Sequence, residues 1–388
     1  MAACQNKICI ITTVDGSLDR LFPDFYPLLI SAGFEVVGIS AQGKYVENIK
    51  NQGVRYLHVP MSREFTVWRD FKCLFQLYQI FRRERFDIIH YSTPKASLLA
   101  CLAGRLVGDS VLLYTLRGLG YDSFRGVKRW VAKYCEKIVC TLSHQIIVIS
   151  PSLKEEVAKN KITSTDRMTV LGWGSSKGVN LEEFKLDYRV RSNAQKIRKD
   201  LGVKEEGVII GYAGRLSPEK GIGELIESFK FLAEHYDTLH LLLVGDQDDR
   251  RPLNDDIMKT INRHKHIHLL PGTNDLPSYL AAMDIFVLPS YREGFGNVLI
   301  EASAMELPVI ASDIPGCRDA LMDNRTGLFI TPRSTLTLNN ALEKLITDPS
   351  ERRRLGKNGR KMVESKFARP HIWKALLNQY KQLIDQEY

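Results

Sequence analysis

Val208-Ile-Ile-Gly-Tyr-Ala-Gly-Arg-Leu-Ser-Pro-Glu-Lys-Gly221 is the stretch on which the fold turns. An apolar run reads as a strand over Val208–Ala213, a glycine at 214 lets the backbone turn tightly, and the segment then opens a helix. Strand-turn-helix units that repeat imply parallel sheets with helices on both faces, so the neighbouring runs decide how far the pattern extends. On the C-terminal side it continues through His240–Gly245, His266–Leu270, Asp284–Leu288 and Pro308–Ala311. On the N-terminal side a separate series reads Lys7–Thr12, Phe34–Ser40, Val54–Val59, Asp87–Tyr91, Val111–Leu116 and His144–Ser150, with helical patterns such as Thr66–Arg85 and Pro94–Val107 between them. Two series predict two α/β domains, and 388 residues exceed what one ordinary core organises. The boundary is expected in the polar stretch Asn180–Lys196, after Gly174-Ser-Ser-Lys-Gly178.

The composition, 44% apolar and 26% charged, is that of a globular chain rather than a disordered or fibrous one. No apolar run is long enough to span a bilayer as a helix, and the N-terminal run lacks a basic flank and cleavage site, so it reads as a first strand. Cys4, Cys9, Cys73, Cys101, Cys135, Cys140 and Cys317 are odd in number and scattered, which predicts reduced thiols in a cytosolic compartment. Residues 1–185 hold 25 Lys and Arg against 17 Asp and Glu, whereas the rest of the chain is nearly balanced. Such an imbalance points to an anionic partner for the first half: nucleic acid, an anionic membrane surface, or a diphosphate-bearing lipid. No nucleic-acid motif accompanies the charge.

In open parallel sheets ligands bind beyond the carboxyl ends of the strands, so the loops after strands carry the search. After Val208–Ala213, Arg215 and Lys220 can both address an anion held over a helix N-terminus, where the dipole and free N–H groups already favour it. The alternative is a plain turn bearing two solvated cations. After Asp284–Leu288 comes Ser290-Tyr-Arg-Glu293-Gly-Phe-Gly-Asn-Val-Leu-Ile-Glu301. Gly294 and Gly296 strip side chains from the turn, which would let the amides of Phe295, Gly296, Asn297 and Val298 approach a diphosphate. Glu301, about two helical turns past the helix start, is suited to accept from ribose hydroxyls. Its apolar neighbours Ile300, Ala302 and Ala304 mean that a carboxylate there needs a partner.

Together these two segments resemble the retaining glycosyltransferases of the GT-B superfamily, family-four type. That family carries Arg and Lys on one loop and Glu-x7-Glu on another. Phe86-Asp-Ile-Ile-His90, Gly178-Val-Asn-Leu-Glu-Glu-Phe184 and Gly327-Leu-Phe-Ile330 extend the likeness over most of the chain. The resemblance implies two Rossmann-like parallel-sheet domains facing each other across a cleft. They would be an acceptor-binding domain over 1–185, a nucleotide-sugar-binding domain over 186–370, and a terminal helix over 371–388 packing back on the first. It implies that Arg215 and Lys220 grip the donor diphosphate, that Glu301 binds ribose, that Glu293 lies near the donor sugar, and that Leu270–Asp275 lines the base pocket. No cofactor is implied. Asp246-x-Asp248 invites a metal, but cations and helix ends already neutralise a leaving diphosphate, so no metal role is expected.

The first half departs from the family pattern. Where relatives carry a Gly-Gly loop, this chain has Thr12-Thr-Val-Asp-Gly16-Ser17, and Gly16 is the candidate for bringing amides to the diphosphate. Where many relatives place a histidine before glycine, this chain has Arg117-Gly118. Arginine cannot act as a base near neutral pH, so its part would be electrostatic or orienting. His90-Tyr-Ser-Thr-Pro-Lys95 is similar to a subgroup that builds bacterial capsule and O-antigen repeat units on undecaprenyl diphosphate. It makes His90 and Lys95 the candidate acceptor contacts, with a satisfied core histidine as the alternative for His90. A cation at a helix start, as Lys95 is, opposes the dipole unless an anion is present.

Thr66–Arg85 and Ser123–Cys140 combine aromatics with basic side chains and read as core helices or as membrane-surface helices. The expected activity is transfer of a sugar from a nucleotide diphosphate, with UDP as the expected carrier, to a lipid-linked or saccharide acceptor. The expected location is the cytoplasmic side, peripheral on the inner face of the plasma membrane. Rival readings are a nucleotide-sugar epimerase, a non-catalytic sugar-nucleotide-binding scaffold, and nucleic-acid binding on charge alone.

Overall fold

The computed structural model describes residues 6–64, 66–249 and 251–385, and Cys4 lies outside them. Two α/β units form, one of residues up to Lys177 together with those from Pro370 onward, the other of Gly178–Arg369. The first contains β1 (Lys7–Val14), β2 (Glu35–Ala41), β3 (Arg55–His58), β4 (Ile88–Tyr91), β5 (Val111–Leu116), β6 (Gln145–Val148) and β7 (Met168–Val170). Its helices are α1 (Asp15–Leu21), α2 (Phe25–Ser31), α3 (Val46–Asn51), α4 (Val67–Glu84), α5 (Pro94–Val107), α6 (Gly126–Leu142) and α7 (Pro151–Lys159). The strands are parallel and ordered β3-β2-β1-β4-β5-β6-β7.

The second unit contains β8 (Val208–Ala213), β9 (Leu239–Val244), β10 (Ile267–Leu270), β11 (Ile285–Leu288), β12 (Val309–Ser312) and β13 (Gly327–Ile330), in the parallel order β10-β9-β8-β11-β12-β13. Around them run α8 (Tyr188–Asp200), α9 (Ile222–Ala233), α10 (Asp255–Arg263), α11 (Leu276–Ala282), α12 (Asn297–Ala304), α13 (Cys317–Ala320), α14 (Thr335–Thr347) and α15 (Pro349–Lys366). The strands are Val-, Ile- and Leu-rich because helices cover both faces of a parallel sheet, as in β9, where all six side chains are buried. Strand order reverses between β1 and β4 in one unit and between β8 and β11 in the other. In open parallel sheets such switch points are where ligands bind beyond the strand ends.

β7 and β13 were not foreseen as strands. At three and four residues on the sheet edges, they carry too short a pattern to stand out. The polar stretch Asn180–Lys196 enters α8, which is capped by the Asp187 carboxylate accepting from the Val190 amide at 2.8 Å. α16 (Arg369–Asp385) places Ile372, Trp373, Leu376 and Tyr380 in the first unit's core with Phe22 and Phe25. Trp373 Nε1 donates to Pro23 O at 2.9 Å and its ring lies 4.8 Å from Phe25. Cys9, Cys73, Cys101, Cys135, Cys140 and Cys317 are free thiols. No helix among the described residues is long and apolar enough to cross a membrane.

Candidate functional site

The second unit's switch point assembles the two motif loops. β8 ends at Ala213, and Gly214 (φ +149°) turns the chain so closely that the Gly214 carbonyl lies 2.0 Å from where a Cβ on Gly245 would stand. A three-residue 3₁₀ turn, Pro218–Lys220, then presents Lys220, and Gly221 (φ +69°) opens α9. Gly221 sits against the end of β11: a Cβ there would meet Pro289 O at 2.1 Å. That approach requires glycine and brings the two loops together. Lys220 Nζ reaches Glu293 Oε1 at 2.6 Å, with both side chains less than one-fifth exposed.

A second brace runs beside this pair. Tyr291 N donates to Glu219 O at 2.9 Å, and the Glu219 carboxylate accepts from Arg251 at 2.8 Å and Arg292 at 3.1 Å. Glu219 carried no signal in the sequence because both arginines come from other loops. Arg215 projects outward and holds Asp248 at 2.8 Å, the arginine largely exposed and the aspartate nearly covered. Asp248 of the Asp-x-Asp pair therefore faces a guanidinium, and Asp246 Oδ1 accepts from Gly272 N at 3.2 Å. Among the described residues no group of acidic, histidine or cysteine side chains is arranged to hold a metal.

α12 begins at Asn297, so Glu301 lies little more than one turn into the helix, not two. It is 7% exposed, on a helix whose Leu299 to Ala304 are buried. Two of the amides expected to receive a ligand are engaged inside the loop: Gly296 N donates to Gly316 O at 3.3 Å and Asn297 N to Phe295 O at 2.9 Å. The Phe295 side chain is buried, edge-on to Phe367 with centroids 5.5 Å apart. Burial raises the Cys317 thiol well above its ordinary range, and the Glu293 carboxylate adds to that effect.

The first unit's switch point is built differently. Gly16 lies inside the short α1, and its N–H donates to Asp15 Oδ1 at 2.8 Å while Asp15 Oδ2 accepts from Tyr45 N at 2.7 Å. A buried carboxylate, not a free amide, occupies that turn. His90 is fully enclosed, with Nδ1 on Tyr380 Oη at 2.5 Å and Nε2 on Thr115 Oγ1 at 2.7 Å. Burial, with the Arg117 charge adding, holds its pKa down to about 3. It is a neutral core residue and leaves the acceptor set. Lys95 is 3% exposed and pairs with Asp70 Oδ1 at 2.7 Å. The anion its helix start demanded is the chain's own, and Lys95 leaves the acceptor set as well.

Arg117 follows β5 and packs its guanidinium 5.3 Å from the Phe22 ring, Nη1 donating to Ser176 O at 3.3 Å. It lines a cavity of about 20 Å³ with His90, Thr115, Ser175 and Trp373, room for about one water. Burial lowers its pKa to about 10, so it stays charged at neutral pH. Its guanidinium is thus turned inward onto the 175–176 segment.

Two parallel-sheet units, one with cationic and acidic loops meeting at its switch point, have the architecture of the GT-B fold. The model of glycosyl transferases group 1 matches residues 193–362, and that of glycosyltransferase family 4 matches residues 25–174. The chain is 32% identical over 98% of its length, and 98% of the relative's, to the capsular polysaccharide biosynthesis glycosyltransferase CapM of Staphylococcus aureus. It is 27% identical, over 91% of this chain and 90% of the other, to the Escherichia coli UDP-Gal:alpha-D-GlcNAc-diphosphoundecaprenol alpha-1,3-galactosyltransferase. Among solved structures, Anabaena HepE in complex with UDP and glucose superposes with a TM-score of 0.80 at 19% identity, covering 97% of this chain and all of that one. A sucrose-phosphate synthase of Thermosynechococcus elongatus gives 0.79 at 22%, covering 98% and 99%. The chain belongs to the family-four type of GT-B glycosyltransferases.

Proposed function

We propose that this glycosyltransferase moves a hexosyl or N-acetylhexosaminyl group from a UDP-sugar, with retention of anomeric configuration, to a lipid-diphosphate-linked or saccharide acceptor in bacterial capsule or O-antigen synthesis. The observation that carries the reading is the 2.6 Å contact of Lys220 with Glu293, which joins the two motif loops over the β8–β11 switch point. The second unit holds the donor: Arg215 and Lys220 take the diphosphate, the α12 end with Phe295 and Val298 supports it, and Glu301 takes the ribose hydroxyls. Glu293 holds Lys220 in place and borders the donor sugar. The first unit receives the acceptor, at the inner face of the plasma membrane.

In the reaction the anomeric C–O bond to the diphosphate breaks while the acceptor hydroxyl oxygen bonds the same carbon on the same face. The leaving phosphate oxygen takes the hydroxyl proton. Cations fixed beforehand around the leaving group stabilise its charge as it develops, without reorganising at the moment of reaction. The relatives support this reading by what their names say they do: one transfers galactose to GlcNAc-diphosphoundecaprenol, and another transfers N-acetylgalactosamine to N,N'-diacetylbacillosaminyl-diphospho-undecaprenol.

The test is thermal-shift titration with a panel of nucleotide sugars, followed by transfer assays on wild type, Lys220→Ala and Glu301→Ala. A donor that binds the folded state raises the melting temperature, increasingly with the ratio of its concentration to its Kd. Both variants should lose that shift and turnover, and product NMR should show the donor's anomeric configuration. Wild-type turnover in both variants would overturn the site. Isomerised donor formed without any acceptor would make the protein an epimerase.

A further inference from the structure

Most of the exposed large apolar side chains of the first unit gather on two helices, with Leu106, Phe124 and Trp173 lying outside them. On α4 they are Val67, Trp68, Phe71 and Phe75, and on α6 Val127, Trp130, Val131 and Tyr134. Both sets repeat every three or four residues, so each forms one stripe. Trp68 is 84% exposed and Trp130 is 68% exposed, the latter stacked on Tyr134 at 5.7 Å. The opposite face of each helix is already used: Cys73, Leu77 and Phe81 of α4 and Val139 and Cys140 of α6 are buried. Each helix therefore has one apolar face in the core and a second with nothing over it. Soluble surfaces seldom keep contiguous apolar patches of this sort without a partner.

Position adds a second constraint. α5 packs between α4 and α6, so the two stripes flank one helix on the same side of the sheet. The stripes occupy the N-terminal halves of helices that follow β3 and β5, and so lie toward the carboxyl end of the sheet. That is the end where ligands of such sheets are met.

Charge names the occupant. Arg69 and Lys72 interleave with the α4 stripe, and Arg125, Lys128, Arg129 and Lys133 with that of α6. The α6 stretch from Phe124 to Tyr134 contains no acid, and Asp70, the acid in the α4 stretch, is turned to Lys95. Arg129 pairs with Asp122 at 2.8 Å, whereas Lys72, Arg125 and Lys128 form no ion pair among the described residues. A second copy of the chain docked by a two-fold axis would set these cations against each other. An anionic bilayer would satisfy both halves of the pattern, rings at the headgroup–acyl boundary and cations at lipid phosphates.

We propose that the N-terminal halves of α4 and α6 form a single docking face for an anionic lipid bilayer, holding the carboxyl end of the first sheet toward the lipid. This deepens the acceptor reading above by naming the surface, and it is testable without sugar transfer.

Full-length protein is floated with vesicles of phosphatidylcholine alone and of phosphatidylcholine with phosphatidylglycerol, in the absence of donor and acceptor. Wild type should bind the anionic vesicles, less at high salt, with a blue shift of tryptophan emission. The triple variant Trp68→Ser, Phe71→Ser, Trp130→Ser and the double variant Lys72→Glu, Lys128→Glu should each weaken binding at least about tenfold. Their melting temperatures should match wild type, because every substituted side chain is exposed. Failure of wild type to bind anionic vesicles, or undiminished binding by the triple variant, overturns the proposal. So does a wild-type dimer in sedimentation that the triple variant converts to monomer, since the face would then serve a second copy. Loss of vesicle binding with transfer to a water-soluble acceptor intact would leave the donor site standing, so the two readings fail separately.

Discussion

The two switch points of this protein sit at the same place in two similar sheets and hold opposite chemistry. Between β1 and β4 the loops are sewn together by neutral hydrogen bonds, Thr13 N to Thr93 Oγ1 at 2.8 Å and the two threonine hydroxyls at 3.0 Å, while the Asp15 carboxylate closes its own turn. Between β8 and β11 the loops meet through a charged pair, Lys220 with Glu293, braced by Glu219. A ligand diphosphate can compete for a lysine held by one carboxylate. It gains little from hydroxyls already satisfied by one another and is repelled by a buried Asp15. The same topology therefore gives one half a charged loop pair, the proposed donor site, and leaves the other half hydrogen-bonded loops beside an aromatic, basic helix face. Fold alone does not distribute function; the charges placed on the loops do.

That contrast can be broken most severely at the cradle. Lys220→Ala or Glu293→Ala should lower the transfer rate by about 10²-fold or more, the scale set by removal of one preorganised charge-stabilising group. The same alanines at Thr13 or Thr93 should leave transfer near wild type. Equal losses at both switch points in a steady-state assay would erase the distinction.

Next in size, Gly221→Ala forces a side chain into a left-handed backbone and against Pro289 O. It should cost about 1–3 kcal/mol or more of stability, read as a lowered melting temperature, together with much of the activity. Tyr380→Phe removes one partner of the buried His90 and should cost about 1–3 kcal/mol in urea unfolding while kcat holds. A large fall in kcat with unchanged stability would return His90 to the catalytic surface.

The pH response comes third. Burial keeps His90 neutral down to about pH 3 and His240 down to about 4, whereas both protonate near 6.5 when unfolded. The unfolded chain binds more protons below that value, so this contribution is complete above pH 6.5 and is lost as pH falls from 6.5 toward 4. Urea midpoints measured from pH 8 down to 4 should decline over that window. Burial also raises Glu136, hydrogen-bonded to Tyr114 at 2.6 Å, to about 7. Its contribution runs the other way, present below pH 4.5 and lost as pH rises to about 7, so Glu136→Gln should steepen the acid decline. The smallest effect is expected from Asp248→Asn. It frees an exposed Arg215 whose ion pair is worth about 0–1 kcal/mol, so donor KM should shift by at most a few-fold.

Much of this architecture was legible because it is local. β8 with its glycine turn, β11 with Glu-x7-Glu, and most other strands announce themselves through apolar runs and turn residues a few positions apart. Arg215, Lys220, Glu293 and Glu301 could be singled out as candidates for the same reason, each lying within a dozen residues of a recognisable strand. The errors arose where distant partners decide a side chain's state. Lys95 looked free until Asp70 met it, and the choice between acceptor contact and core residue for His90 was open until Tyr380, 290 residues away, closed over it. Gly16 looked like an open amide although its own neighbour Asp15 turns back to take it.

The amino-acid sequence by itself determined two parallel α/β sheets, a basic first half and the residue types of the proposed donor site, because periodicity, composition and short-range turn chemistry are properties of the chain. Only the tertiary structure decided which cations stay accessible, which histidine is mute, and that the rings of α4 and α6 face outward rather than into the core. Burial and long-range pairing set those states, and they arise only once distant segments pack.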